Sequence, residues 1–440
     1  MKNNNLFKPF FSQNTNKLDY IKYNTIGEHK SDYFDYTASG LGFRPIENRI
    51  YDVLKTYANT HSKEASMANL TNISYEQAIK SLHNSLEVDD SFAILPCGCG
   101  ATAAIKRFQE LMGLYIPPAT LKRLDLDVDK SKLPLVIVGP YEHHSNEVSY
   151  REALCEVMRV ALNEDGLIDL LQLEEILKNN SHREIIATFC VASNVTGIIT
   201  CYKDISNLLR KYNAIICFDA AASSSYMNID SKYYDAMFTS PHKLLGGPGS
   251  CGLLVIKKSL VDTSLAPSFS GGGTFKYVTK TLQVYEDNIN IRETAGTPGI
   301  LQLIKAALAY QLRNEIGFDF INQRKQELYN HFLNRLKKIP NIKIYGNKSA
   351  KNIGIVSFNV DKLDPYDICE LLSSKDGIQT RAGCSCAGPY GHDLLGLKDQ
   401  IILGKTPGWI RISIHYSQTP QELEKLLDAI KKTISTLNSN

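Results

Sequence analysis

An α/β fold is what this sequence predicts: a largely parallel sheet with helices on its faces, joined to a smaller α+β lobe at the carboxyl end. Two observations carry the prediction. From Ser91 to Ile256 short apolar runs alternate with helical patterns, the order that builds parallel sheets. The loops richest in Gly, Ser and His fall at the predicted carboxyl ends of those runs, where such sheets collect their ligands. At 440 residues the chain exceeds one compact core, so two domains are expected.

The elements follow in order. Met1 to Ser31 is rich in Asn and Lys, lacks the apolar stretch of a secretory signal and reads as a loosely ordered arm. Phe34-Asp35-Tyr36-Thr37-Ala38-Ser39-Gly40 reads as a short strand entering a Gly turn. Ser91 to Leu95 is a strand, and Pro96-Cys97-Gly98-Cys99-Gly100-Ala101-Thr102 leads it into a helix that continues to Met112. A Gly-rich turn into a helix presents free N–H groups and a positive dipole end to an anion. The pair Cys97 and Cys99 lacks the gap of a zinc half-site, so small residues packed in a tight turn are expected.

Leu135 to Val138 is the next strand, running into Gly139-Pro140-Tyr141-Glu142-His143-His144-Ser145-Asn146. Adjacent histidines do not easily face one metal and no third ligand is evident; a proton-moving histidine and a satisfied loop histidine both remain open. Glu156 to Leu162 is a strand turned by Asp165-Gly166, and Asp169 with Gln172 forms the capping box of a helix through Leu177. Ile185 to Val191 is a strand ending on Ala192-Ser193-Asn194, and Ser206 to Tyr212 is a helix. Ile215-Ile216-Cys217-Phe218-Asp219 is a buried strand that ends on a carboxylate. Phe238-Thr239-Ser240-Pro241-His242-Lys243 follows, before Gly246-Gly247-Pro248-Gly249 and the strand Leu253 to Ile256. A lysine there is either a surface-loop residue or, with Asp219, one of two charge centres in a single pocket.

Beyond the turn Gly271-Gly272-Gly273-Thr274, a helical region from Leu301 to Leu336 splits near Gly317. The terminal lobe starts around Asn341, with a strand Ile353 to Phe358 and a helix Pro365 to Leu372. Arg381-Ala382-Gly383-Cys384-Ser385-Cys386-Ala387 and the strand around Arg411 come next. Thr419, Pro420 and Glu422 then open a last helix with an apolar stripe of Leu423, Leu426, Leu427, Ile430 and Ile434.

Composition excludes several classes of function. Apolar residues make up 43% and charged residues 22%, ordinary for a globular protein. The balance of 49 Lys+Arg against 46 Asp+Glu is too mild for a nucleic-acid partner. No apolar run approaches the roughly 18 residues that cross a bilayer. Ten cysteines without framework spacing suggest reduced thiols and a cytoplasmic location.

The Asp219 strand with Ser240, His242 and Lys243, the Glu142-His143-His144 loop, the Gly-Gly-Gly turn, and Arg292-Glu293-Thr294-Ala295-Gly296-Thr297-Pro298 together resemble the class V aminotransferase and cysteine desulfurase group of fold-type I pyridoxal-phosphate enzymes. The resemblance runs from about Tyr33 to Ser417. It implies a mostly parallel seven-stranded sheet, with an arm over 1–30, a large cofactor-binding domain over 31–300 and a small domain with its linking helix over 301–440. It further implies that Lys243 carries pyridoxal 5'-phosphate as a Schiff base and that Asp219 pairs with the pyridine nitrogen. His143 stacks on the ring and moves protons, and Asn194 faces the cofactor and the substrate. Gly100, Ala101, Thr102, Ser240 and His242 hold the phosphate, together with Thr274 reaching across a homodimer. Arg411 takes the amino-acid substrate's carboxylate, Arg381 also binds the substrate, and no metal is needed.

Arg381 to Ala387 matches the desulfurase spacing Arg-x-Gly-x-x-Cys-Ala, which makes Cys386 the thiol that takes sulfur from L-cysteine, leaving L-alanine and a persulfide for a sulfur-acceptor protein. Cys384 is an extra thiol that can share that sulfur. Ala222 stands where the family usually has Gln, and Gly388 to Pro407 departs from the desulfurase loops. The alternatives are an aminotransferase or carbon–sulfur lyase acting on another amino acid, and a cofactor-free relative kept as an interaction protein.

Overall fold

The computed structural model describes residues 6–28, 32–60, 62, 64–124, 129, 132–399 and 408–439. Its centre is a seven-stranded sheet built from β1 (Phe92–Cys97), β2 (Leu135–Val138), β3 (Glu156–Arg159), β4 (Ile185–Cys190), β5 (Ile215–Asp219), β6 (Ala236–Thr239) and β7 (Gly252–Lys257), in the order β1-β7-β6-β5-β4-β2-β3. Only β7 runs against its neighbours; the pairs among β6, β5, β4, β2 and β3 are parallel. Apart from the edge strand β3, whose residues are half-buried, the strands are near-continuous apolar runs, as a sheet covered on both faces demands, and β4 is buried at every position. Register decides what meets at the carboxyl edge: Cys190 pairs with Asp219, and Asp219 with Phe238. The turns that follow β1, β2, β4, β5 and β6 therefore open on the same side.

The second lobe is an antiparallel sheet of β8 (Ile342–Ile344), β9 (Ile355–Val360), β10 (Arg381–Gly383) and β11 (Trp409–Ser413), in the order β8-β9-β11-β10. Its core gathers Phe358, Ile410 and Ile412 with Leu328, Phe332 and Leu336 from the helix Phe318–Leu336, and Leu423, Leu426 and Ile430 from the helix Pro420–Ser439. That last helix has the expected cap in both directions: Thr419 N donates to Glu422 Oε2 at 2.8 Å, and Glu422 N donates to Thr419 Oγ1 at 3.3 Å. The long helical region divides at Gly317, and its first half, Ile300–Ile316, packs into the large core with Leu303, Ile304 and Leu308 fully buried.

Three segments differ from the sequence expectation. The amino-terminal arm carries a helix, Lys17–Asn24, capped by Asn16, and Phe10 is buried. Arg49 holds the arm by donating to the carbonyls of Leu6 and Pro9. The segment around Phe34 forms no strand, because its backbone divides its hydrogen bonds: Phe34 N donates to Gln379 O and Ser413 N donates to Phe34 O, both at 2.8 Å. Phe34 itself lies in the small-lobe core. The capping box at Asp169 is half formed. Asp169 Oδ1 accepts from Leu171 N and Gln172 N, but Gln172 Oε1 turns away to accept from Ala161 N at 2.5 Å.

Candidate active site

A cavity of about 620 Å³ opens at the carboxyl edge of the large sheet, against β10 and β11 of the small lobe. One end of it is a cup for an anion. The helix Ala101–Leu111 points its amino terminus there, where backbone N–H groups lack intrahelical partners. Ala101 N donates to Ser240 Oγ at 2.9 Å, and Thr102 Oγ1 lies 2.7 Å from Ser145 Oγ. A side chain at Gly100 would place its Cβ 3.0 Å from His242 Cε1 and 3.2 Å from Ser240 Oγ, filling the cup. His242 Nδ1 is buried there without a hydrogen-bond partner, and burial, with help from Lys243, keeps the ring's pKa below its ordinary value. Hydroxyls, a helix terminus and an unpartnered imidazole suit a phosphate monoester.

Lys243 ends the single turn Pro241–Lys243 after β6. Its side chain borders the cavity, and the surrounding protein pushes its amine down to about 8. Burial is the main cause; Asp219 and Asp35 oppose it, while Arg411 and Arg381 add to it. Asp219 accepts from Ala221 N at 2.8 Å, and burial raises its pKa against the pull of that bond and of Lys243. His143 caps the helix His144–Arg151, and its Nδ1 accepts from Ser145 N at 3.1 Å. Burial, then the charge of Lys243, holds the imidazole down to about 4, so at neutral pH the ring is uncharged with its proton on Nε2.

On the opposite wall, Ala387 N donates to Cys384 O at 3.1 Å and closes a four-residue turn. Ser385 and Cys386, its central residues, take φ of 54° and 58°. Both sit in the left-handed region without being glycine, at a cost of order 1 kcal/mol each. Asn194 Nδ2 donates to Ser385 O at 2.6 Å and ties this turn to the large domain. Register sets Arg381 directly opposite Arg411. Like charges so placed repel, and Asp35 lies between them, 2.6 Å from Arg411 Nη2 and 4.0 Å from Arg381 Nη1. Arg411 Nη1 donates to Asn194 O at 3.0 Å, while its Nε is buried without a partner.

Gly100, Ala101, Thr102, His143, Asn194, Asp219, Ser240, His242, Lys243, Arg381, Cys386 and Arg411 thus line one cavity. Thr274 does not: it is buried in its own turn, its hydroxyl donating to Gly271 O at 2.7 Å. Ala222 lines the cavity, and the serines beside it do not replace the missing amide, since Ser223 donates to Ala220 O and Ser225 to Lys243 O. Tyr390 of the divergent loop is buried against Tyr141; residues 400–407 of that loop lie outside the described residues. Cys97 is buried and Cys99 exposed, and among the described residues no cluster of three or more His, Cys, Asp or Glu side chains is arranged for a metal.

Sequence reasoning left out Asp35 as a partner of the arginines, Ser145 beside Thr102, and Glu142. The Glu142 carboxylate is fully enclosed, accepting from Asn146 Nδ2 at 2.5 Å and from Cys190 N at 2.9 Å, and burial pushes it up to about 8. The only signal for it was a carboxylate placed where an apolar strand ends.

A family model described as aminotransferase class V matches residues 32–426. A probable cysteine desulfurase of Staphylococcus aureus (strain N315) is 27% identical over 408 residues, 91% of each chain, and one from Staphylococcus epidermidis is 26% identical over the same span. Among solved structures, an apo cysteine desulfurase from Thermococcus onnurineus NA1 has a TM-score of 0.81 at 22% identity, covering 95% of this chain and 98% of its own. The Escherichia coli cysteine desulfurase CsdA has a TM-score of 0.76 at 20% identity, with the same coverage. At those identities the solved structures establish the fold.

Proposed function

The chain belongs to the class V aminotransferase family, and from that premise we propose that it is a pyridoxal-phosphate-dependent cysteine desulfurase, converting L-cysteine to L-alanine with the sulfur retained as a persulfide on Cys386. One observation carries the reading. Cys386 lines the same cavity as Lys243 and Asp219, on a turn held in a strained shape.

The fit to pyridoxal phosphate rests on the cup at Gly100, the unpartnered His242 Nδ1, and the buried Asp219 beside an amine of lowered pKa. When bound, the cofactor supplies an electron sink for charge that develops on the substrate carbons. Ala101, Thr102, Ser240 and His242 would hold its phosphate, and Asp219 would hold a proton on its ring nitrogen. His143, neutral, would cover the ring. Lys243 would carry the cofactor and move the substrate's α-proton, which needs the free amine its environment favours. Arg411, through its unpartnered Nε, would take the substrate carboxylate with Arg381 beside it.

Cys386 as thiolate would attack the substrate sulfur: the S–S bond forms, the C–S bond breaks with its electron pair left on carbon, and a proton taken up there completes alanine. A protein thiol or small reductant would then remove the sulfur. A homodimer would let Thr274 meet a neighbour's phosphate. In support, Phe269, Tyr277, Leu282 and Val284 around the Gly271–Thr274 turn are exposed apolar side chains. No helix among the described residues is long and apolar enough to cross a membrane, and the ten cysteines are free, which favours a cytoplasmic enzyme.

Alanine and sulfide release from L-cysteine with a reductant tests the reading, comparing wild type with Cys386→Ala. Alanine formation that collapses in the variant while the yellow cofactor band persists supports it. Turnover without alanine, or indifferent to the substitution, overturns it and points to a transaminase or a carbon–sulfur lyase.

A further inference from the structure

The two adjacent histidines have separate surroundings. His143 lines the cavity; His144 does not. Instead His144 grips the Cys386 turn from both sides. Its backbone N–H donates to Cys386 O at 2.8 Å, and its ring Nε2 accepts from Gly388 N at 2.7 Å. Gly388 opens the helix Gly388–Leu395, whose first N–H groups have no partner within the helix. The imidazole lone pair supplies one. A Cβ at residue 388 would stand 3.0 Å from Nε2, so glycine leaves room for the imidazole to approach the backbone there.

The strain in this turn makes the grip consequential. Left-handed φ at Ser385 and Cys386 persists only where the surroundings over-determine it. Asn194 anchors the turn before Cys386, at Ser385 O, and His144 anchors it at Cys386 and beyond. Freed of the second anchor, the turn can relax toward ordinary backbone angles and redirect the thiol. Acceptance at Nε2 needs an uncharged ring. Burial lowers the His144 pKa with Arg151 assisting, while Glu147 opposes.

We infer that His144 is the positioning residue for Cys386: it aims the thiol into the cavity without itself touching substrate or cofactor. The inference rests on the proposal that Cys386 is the sulfur-accepting thiol.

The test compares His144→Ala and His144→Gln in the holoenzyme, since the Gln side-chain oxygen can still accept from Gly388 N. Three quantities are read: alanine formation from L-cysteine, exchange of the α-proton of L-alanine with solvent deuterium, and the rate at which iodoacetamide alkylates Cys386 without substrate. Loss of one well-placed hydrogen bond predicts a fall of about tenfold in kcat for His144→Ala. KM and α-proton exchange stay unchanged, Cys386 alkylation is faster, and both effects are largely reversed in His144→Gln. Unchanged or slower alkylation in His144→Ala overturns the inference. So does an equal loss of α-proton exchange, or a glutamine variant as impaired as the alanine one. If the wild type forms no alanine, the proposed activity fails, yet alkylation and its rescue by glutamine still report whether His144 aims Cys386.

Discussion

Replacing Asp219 by Asn in the cofactor-free protein isolates the electrostatics of Lys243. The amine titrates at about 8 in place of the ordinary 10.5. At pH 7 roughly one molecule in ten then carries the neutral amine, against about one in three thousand for an ordinary lysine, a gain of about 300-fold or about 3 kcal/mol. Asp219 is the foremost influence opposing that drop. Asparagine keeps the bond from Ala221 N through its Oδ1 but removes the charge, so the midpoint moves further down, below 8. The rate of acylation of Lys243 by a trace reagent specific for neutral amines, mapped by mass spectrometry between pH 6 and 11, reads this directly. Wild type bends at about 8 and the variant at lower pH, while exposed lysines bend in the ordinary range. Stability carries the same signature. Between about 8 and 10.5 the unfolded chain holds a proton that the folded one has released, so the folded state gains stability as pH rises through that window. A Lys243 that bends with the exposed lysines, or an Asn variant whose midpoint moves up, refutes the reasoning.

Two further substitutions test neighbouring charges. Asp35→Asn leaves the buried Arg411 facing Arg381 without its carboxylate, which is expected to cost about 3 kcal/mol in urea unfolding; a loss under about 1 kcal/mol would show that water already screens the pair. The Glu142 carboxyl holds its proton up to about 8 when folded but only to its ordinary 4.5 when unfolded, so wild-type stability should decline as pH rises between those values. Glu142→Gln should flatten that decline by a few kcal/mol, and parallel pH profiles of the unfolding midpoint would contradict the assignment.

The parts of the site that were legible are those whose signals are local. Asp219 and Lys243 each end or follow an apolar strand, and in a parallel sheet a strand end is a position in space as well as in sequence. Gly100 opens a helix, so the anion cup is encoded within a few residues. The charge balance is not local. Asp35 meets Arg411 across 376 positions, and Arg381 faces Arg411 only because β10 and β11 pair in one register. Neither fact leaves a trace in composition or periodicity, and an isolated Asp before Tyr-Thr-Ala reads equally well as a strand end. Much the same holds for the helix Ser66–Leu86, whose pattern is dense in Ser and Asn. It forms because Ala78, Leu82 and Leu86 are buried in the large core.

Cys386 shows the limit from the other direction. Its spacing from Arg381 was readable, but its conformation was not, because serine and cysteine carry no preference for the left-handed region they occupy. A glycine at 385 or 386 would have advertised the turn and relaxed it. The observed residues instead need holding from outside, and the holders come from the loop after β4, for Asn194, and from the start of the helix that follows β2, for His144. The thiol is therefore positioned by the large domain, although it belongs to the small one by sequence. Any displacement of the small lobe relative to the sheet must strain or break those attachments before the thiol can leave the cavity, so in the proposed desulfurase the access of a sulfur acceptor and the aim of Cys386 would be opposing demands on Asn194 and His144.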